Sequence, residues 1–400
     1  MEIQTLSSEE QARTLFEEWR ALQLRAGRSL FTDPAFFAAW WDTHGRSSER
    51  RLHLTIGRDQ GRLVALAPLV VARRFGFRFL EWAGANVFDY GDTLLDDHAG
   101  GEPLWRAIRG SRQYDVAFIR GIHAGLDCYN ALTQCGHPAK RNTVYRVNLV
   151  WASGEVWMAE ALSRPGRQLL RRKQRQIQRQ GEFGFRVHRS GPPPSAVLEA
   201  LVQQKSAWAS RHGESGLFDD PPRAASLLQR MAEAASQLGS LHLSWLYCDE
   251  DILAVHLGFV YRNVLHYYMP SYDENWGRHS PGSLLIVHLI KWCIENGISV
   301  FDFMRGDDSY KHAYANARIE LTDFSFPGSL KGGPAELAVR KVYLKTRGHC
   351  PSRSEPARFA PLWSRGTNLF HTASTSRLFA AFHQGSLAHT AIRQFSGDQT

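Results

Sequence analysis

The stretch that decides the fold is residues 242–315, HLSWLYCDEDILAVHLGFVYRNVLHYYMPSYDENWGRHSPGSLLIVHLIKWCIENGISVFDFMRGDDSYKHAYA. Leu241, Leu243, Trp245 and Tyr247 alternate with polar or small residues, the period of a strand with one buried face. Asp249, Glu250 and Asp251 make a turn. Ile252 to Tyr261 reads as a strand apolar on both faces, and Arg262-Asn263 breaks it before a third strand, Val264 to Met269. Ser280 is placed to cap a helix, and Pro281 occupies the first helical position, where its missing N–H is harmless. Leu284, Leu285, His288, Leu289, Trp292 and Cys293 give that helix a buried face, and Asn296-Gly297 ends it in a left-handed turn. Val300, Phe301 and Phe303 form the next strand. The helix is therefore the crossover of a β-α-β unit, whose two strands are expected to be parallel.

A helix start in such a unit directs backbone N–H groups and partial positive charge at whatever lies beyond the strand end. Gly282 lets a ligand come close to the backbone, Ser283 adds a hydroxyl and Arg278 a fixed cation, a set that suits a pyrophosphate. The plainer alternative is that Pro-Gly only begins a helix.

This order of elements resembles the GNAT acyltransferase superfamily, in which the loop holds the pyrophosphate of acyl-CoA. More narrowly, FDFMRGDDSYKHAYA (301–315) resembles the segment that ends the catalytic domain of the CelD-like acetyltransferases, which are similar to the FemABX aminoacyl ligases. The resemblance spans residues 10 to 325 or so, and the sequence departs from the common GNAT loop in having one central glycine after Ser280-Pro281. It implies an α/β protein of two GNAT-like domains in tandem, with mixed, mostly antiparallel sheets flanked by helices. The boundaries it implies are a degenerate GNAT-like domain at 1–150, a connecting region with a basic helix at 151–182, a catalytic domain at 183–328 and a basic extension at 329–400. Acetyl-CoA, or another acyl-CoA, is the implied co-substrate, with Met269, Arg278, His279, Ser280, Gly282 and Ser283 at the donor site.

Acyl transfer from a thioester needs donor and acceptor held together, a route for the acceptor proton and hydrogen-bond donors near the developing oxyanion. The backbone from Tyr267 to Pro270 is the expected thioester channel. Asp302, His266 and Asp307 are candidates for the proton route. An Asp inside Phe-Asp-Phe on a buried strand has a raised pKa unless it is paired, and a salt bridge to Arg305 or Lys311 is the structural alternative. Lys311 is expected to hold a phosphate or an acceptor carboxylate, and Tyr310 to donate a hydrogen bond. Asp89 and Tyr90, by the resemblance, lie near the cleft between the halves. An Asx-turn with a packed tyrosine is the ordinary alternative there. His256 and His266 read equally as satisfied sheet histidines.

Composition narrows the field. Hydrophobic residues at 43% mark a globular protein, and no apolar run approaches the ~18 residues of a membrane-spanning helix. The N-terminal MEIQTLSSEEQAR lacks a leader's basic and apolar regions, which places the chain in the cytoplasm. Five cysteines and 17 histidines fall in no zinc, thioredoxin-like or metalloprotease pattern, so no metal is expected. There is no Gly-x-Ser-x-Gly elbow and no P-loop.

The net charge of +9 is local. Arg164 to Gln180 holds seven basic residues and no acid, and residues 331–400 hold ten against three. The basic helix after Pro165-Gly166 reads as a solvated linker, as a contact for tRNA, or as a contact for an anionic membrane surface. Elsewhere, Ser7 or Ser8 caps a first helix, and Asp33-Pro34 opens a second with core aromatics Phe36, Phe37, Trp40 and Trp41. Strands are expected at Arg51 to Ile56, Leu63 to Ala72, Phe77 to Ala83, Val116 to Ile119, Thr143 to Leu149, Phe183 to His188 and Ile319 to Phe326. Helices are expected at Leu104 to Ile108, Ser195 to His212, Arg223 to Leu238 and Ala335 to Lys345. The expected function is acyl transfer to an amine or hydroxyl of a sugar or peptidic acceptor of the cell envelope or exopolysaccharide. FemABX-like aminoacyl transfer from charged tRNA to a peptidoglycan precursor, and a non-enzymatic scaffold that binds RNA or an anionic polymer, are the alternatives.

Overall fold

A computed structural model of the chain describes residues 1–345 except 75, 97–99 and 214–215. The partly ordered tail expected at 349–400, with Cys350 in it, lies outside the described residues.

One sheet runs through the molecule. In chain order its strands are β1 (Glu2–Leu6), β2 (Arg50–Asp59), β3 (Arg62–Arg74), β4 (Phe77–Trp82), β5 (Leu94–Leu95), β6 (Val116–His123), β7 (His137–Asn148), β8 (Phe183–His188), β9 (Leu241–Cys248), β10 (Asp251–Tyr261), β11 (Val264–Tyr272), β12 (Val300–Arg305) and β13 (Ala317–Pro327). Their spatial order is β1-β2-β3-β4-β6-β13-β7-β12-β11-β10-β9-β8, with β5 paired to β3. That order is a palindrome of roles. On each side an antiparallel meander ends in a parallel pair bridged by a helix: β4 with β6 through Gly101–Gly110, and β11 with β12 through Pro281–Glu295. The fold is the expected mixed α/β tandem of two GNAT-like units. The parallel pairing read from the sequence is present.

The centre holds a feature that chain order does not disclose. β7 leaves the first half to pair with β12 of the second, β13 leaves the second half to pair with β6 of the first, and β7 and β13 pair with each other. Each half thus contributes its last strand to the other's sheet. Backbone hydrogen bonds and side-chain packing both join the halves, since helices of the first half bury Trp19, Phe36 and Trp40 in the same core as Leu241, Val255 and Phe259. Phe31 stacks on Phe88 at 5.2 Å and meets Tyr268 at 5.6 Å within that seam.

Local chemistry explains most boundaries. Ser8 and Asp33 accept the N–H groups of Gln11 and Ala35 as helix caps. The basic helix runs Arg164–Gln178, capped by Ser163, with only Ile177 fully buried among its residues. Three expectations change. Residues 2–6 form an edge strand on β2, where only the following helix is expected, because EIQTL is too short for its alternation to stand out. Asp127–Cys135 is a helix that the sequence reading leaves out. Ser280 precedes the crossover helix but does not cap it: its backbone is left-handed (φ 55°) and its side chain makes no capping bond.

Candidate active site

The parallel ladder between β11 and β12 is three residues long. It ends at His266↔Asp302, after which the strands diverge. Both walls of the wedge are bulged. β11 carries an extra residue against β10 between His266 and Met269, and β12 carries one against β7 between Asp302 and Arg305. A bulge bends its strand and raises the local twist. Two bulges on facing strands open a cleft of about 380 Å³, lined on β11 by Tyr267, Tyr268, Pro270, Ser271 and Tyr272 and on β12 by Phe303, Met304 and Arg305.

One end of the cleft is closed by the turn and first turn of the crossover helix, through Gly277, Ser280, Pro281, Gly282, Ser283 and Ile286. The left-handed Ser280 folds its own carbonyl back to accept from Ser283 N–H (3.1 Å) and Leu284 N–H (3.2 Å). Pro281 has no N–H. The Gly282 N–H is left without a protein acceptor among the described residues, so the mouth offers one free amide rather than a row of them. A Cβ at Gly282 would meet only the Tyr272 ring, at 3.5 Å, so the protein does not itself require glycine there. Space for a ligand's close approach is what the missing side chain preserves.

Arg278 and His279 do not line the cleft. The Arg278 Nε donates to His279 Nε2 (2.9 Å), His279 is buried beside Trp276, and Gln180 reaches the same ring nitrogen at 3.1 Å. Lys173 of the basic helix donates to the Arg278 carbonyl. The basic helix is thereby tied to the turn that forms the mouth, and Arg164, Arg171, Arg172, Arg175 and Arg179 stay exposed.

Across the wedge, Asp308, Tyr310 and Lys311 come from the segment after β12. Lys311 is 3% exposed and fully engaged: its Nζ is 3.0 Å from Asp308 Oδ2 and donates to the carbonyls of Arg305 (3.0 Å) and Gly306 (3.1 Å). It fastens the loop at Gly306, whose φ of 118° a side chain would not tolerate. Tyr310 is more open and packs edge-on to Phe303. Asp89 reaches in from the first half, and Gln204, Lys205 and Trp208 from the helix Ser195–His212.

Asp302 is fully buried and is not part of the cleft lining. Its partners are Arg146, at 2.9 Å from Nε and 2.8 Å from Nη2, and the Tyr90 hydroxyl, at 2.8 and 2.9 Å from its two oxygens. The Met304 N–H completes the set at 2.8 Å. The salt bridge is thus neither of those foreseen: Arg305 faces Asp323 at 3.5 Å and Lys311 faces Asp308. Burial, then the adjacent Asp302, pushes the Tyr90 phenol well above its ordinary range, so it stays a donor. His266 meets the Tyr90 ring edge-on at 6.2 Å and is not part of the cleft lining. Burial lowers its pKa, keeping it neutral near pH 7. Met269 is buried in the seam, and Asp307 bonds to the Tyr145 hydroxyl (2.7 Å) and His312 Nε2 (2.9 Å) outside the lining.

Of the residues named from sequence, the cleft therefore gathers Asp89, Ser280, Gly282, Ser283, Tyr310 and Lys311, and leaves out Tyr90, His266, Met269, Arg278, His279, Asp302 and Asp307. The omissions that matter are Trp208 and Lys205. Their spacing of three places them together on one helical face, with the ammonium 5.9 Å from the indole.

Residues 164–312 match the family model described as an acetyltransferase (GNAT) domain. This segment has the GNAT acyltransferase fold. Its first residue opens the basic helix and its last lies beside Lys311, so the match takes in both walls of the cleft and the mouth. Sequence comparison with curated proteins gives no match. Among solved structures the chain is similar to FemX, with a TM-score of 0.53 at 10% identity over 85% of this chain and 100% of that one. It is also similar to the C-terminal domain (DUF2156) of a candidate lysylphosphatidylglycerol synthetase from Agrobacterium fabrum, with a TM-score of 0.50 at 14% identity over 82% and 95%. At such identities the likeness is one of fold. No helix among the described residues is long and apolar enough to cross a membrane.

Proposed function

We propose that the chain transfers an acyl group, with acetyl from acetyl-CoA as the leading donor, to an amine or hydroxyl acceptor in the β11/β12 cleft. The observation that carries the reading is the wedge itself: a doubly bulged strand pair opening beside an uncapped helix start, inside the segment that matches an acetyltransferase domain. A thioester arm laid between the strands would have its pyrophosphate at Gly282 and Ser283 and its carbonyl near the unpaired edge of β11 beyond His266. The acceptor would enter from the side of Asp89, Lys205 and Trp208. In the reaction the acceptor nitrogen or oxygen bonds to the thioester carbon, the C–S bond breaks, and one proton passes from acceptor to sulfur. In this reading Asp89 takes that proton and Tyr310 supplies one to the leaving thiolate, both being residues that line the cleft. A sugar or peptidic acceptor in cytoplasmic envelope or exopolysaccharide metabolism, as in CelD-like proteins, is the finer form of this reading.

Calorimetric titration with acetyl-CoA tests it: wild type binds, and Gly282→Trp loses at least about tenfold in affinity, or ~1.4 kcal/mol. Binding indifferent to Gly282→Trp would move the donor elsewhere. A second reading, aminoacyl transfer from charged tRNA, is supported by the contact between the basic helix and the mouth. Titration with charged tRNA decides it: binding by tRNA with none by acetyl-CoA would replace the first reading.

A further inference from the structure

Met304 is the one described non-glycine residue inside a named strand with positive φ, at 60°. The others, such as Gln60, Asp249, Arg262 and Asn263, sit between elements. A left-handed methionine is strained, and such strain persists only where surrounding contacts over-determine it. Here the position is telling. Asp302 is the last residue of β12 paired with β11 and the last before the slip against β7, and Met304 is inside that slip. The strand turns out of the sheet at Met304, and the cleft begins there.

The Asp302 carboxylate grips the Met304 N–H, and is gripped in turn by Tyr90 and Arg146. Both clamps come from the first half of the chain, Tyr90 from the loop after β4 and Arg146 from the exchanged strand β7. The same chain holds a control. β6 carries an equivalent slip against β13, and its left-handed residue is Gly121 (φ 74°), whose N–H is held by Asp323 at 2.6 Å. Both left-handed N–H groups are thus held by a buried carboxylate, but glycine adopts the conformation without strain, whereas methionine is strained there and depends on the carboxylate that Tyr90 and Arg146 fasten.

We infer that Asp302 is a positioning residue that sets the apex of the cleft: held by Tyr90 and Arg146, it fixes the left-handed Met304 at which β12 parts from β11. The first half of the chain thus acts on the acyl site by bracing it. This rests on the proposed acyl-CoA reading only for its effect on the donor.

The experiment compares Asp302→Ala, Asp302→Asn, Met304→Gly and the double variant D302A/M304G in the full chain. Asn keeps an oxygen for the Met304 N–H and the Tyr90 hydroxyl but turns an NH2 group toward Arg146, so it loses one of the two clamps. We expect D302A to weaken acetyl-CoA binding by about tenfold or more, D302N by less than D302A, and D302A/M304G to return to within about threefold of wild type. No recovery on adding M304G overturns the inference. Hydrogen exchange of the amides at 267–272 and 303–305 gives a readout free of any donor. D302A speeds it, and M304G in that background restores it. If wild type binds no acetyl-CoA, the acyl-CoA reading falls, and this exchange pattern alone decides for or against Asp302.

Discussion

The two parallel strand pairs of the sheet begin alike and end differently. In the first half, β4 and β6 pair at Phe79↔Val116 and Leu80↔Ala117 and then part, as β11 and β12 do in the second. Only one wall of that first wedge is bulged, since β4 keeps a regular register against β3. Trp82 fills the opening. Its indole N–H donates to the Arg120 carbonyl at 3.0 Å, its ring packs edge-on to Trp105 at 5.8 Å, and a void of about 10 Å³ is left beside it. The second wedge has two bulges, no tryptophan on either of its two parting strands and about 380 Å³. One topology thus yields a packed core at one end and a cleft at the other. The difference lies in one extra residue on a strand and one large side chain.

The sharpest way to break this comparison is to remove the plug. Trp82→Ala is expected to cost about 3–5 kcal/mol in urea unfolding, the scale of a buried Trp truncation, without giving a second donor-binding site. A second calorimetric site would mean that the tryptophan alone separates the halves. The reverse change, plugging the second wedge with Gly282→Trp, should leave unfolding free energy within about 1 kcal/mol of wild type, because the added Cβ meets only the Tyr272 ring, at ordinary contact distance, and the side chain enters the cleft. Together with the lost donor affinity, this would separate a binding surface from a structural core. A larger stability loss would make the second wedge a packed region like the first.

Both halves also bury neutral imidazoles. Burial lowers His53 in the first half and His288 in the second to about 4, and His242 to about 3. Unfolded, these groups titrate near 6.5. Between pH 6.5 and about 4 the unfolded chain therefore holds more protons, and stability rises with pH across that window. Each histidine contributes up to ~1.4 kcal/mol per pH unit there, so the unfolding midpoint should fall steeply from pH 6.5 to 4.5. His242→Phe should flatten the slope, and an unchanged slope would show that the imidazole is accessible to protons in the fold. The smallest effect concerns the basic helix. Reversing charge at exposed Arg171 and Arg172 should lower any tRNA retention and its salt slope, while acetyl-CoA affinity stays within about threefold. A larger loss of donor affinity would assign this helix to the donor mouth.

The β-α-β crossover was legible because its signals are local: alternation in 241–247, Pro281 at the helix start, Gly297 (φ 68°) at its end. Gly282 and Ser283 were found for the same reason, at the start of that helix, whereas Asp89, Tyr310 and Lys311 came from the family resemblance. Asp302 shows where such reading stops. Its burial was visible in Phe-Asp-Phe, but its partners lie 156 and 212 residues away, and no local pattern selects Arg146 and Tyr90 over the nearby Arg305 and Lys311. Trp208 was missed in a similar way. It continues an apolar helix face, and only the packing of that helix on β10 and β11 brings it to the cleft.

By itself the sequence determined the elements, the parallel pair with its crossover helix, and the basic character of 164–180, because these follow from periodicity, caps and charge within a few turns of chain. The exchange of β7 and β13, the clamp on Asp302 and the choice of which wedge stays open were decided only in the tertiary structure. Each depends on hydrogen bonds and side-chain volume brought together from opposite halves, and such contacts have no period along the chain to reveal them.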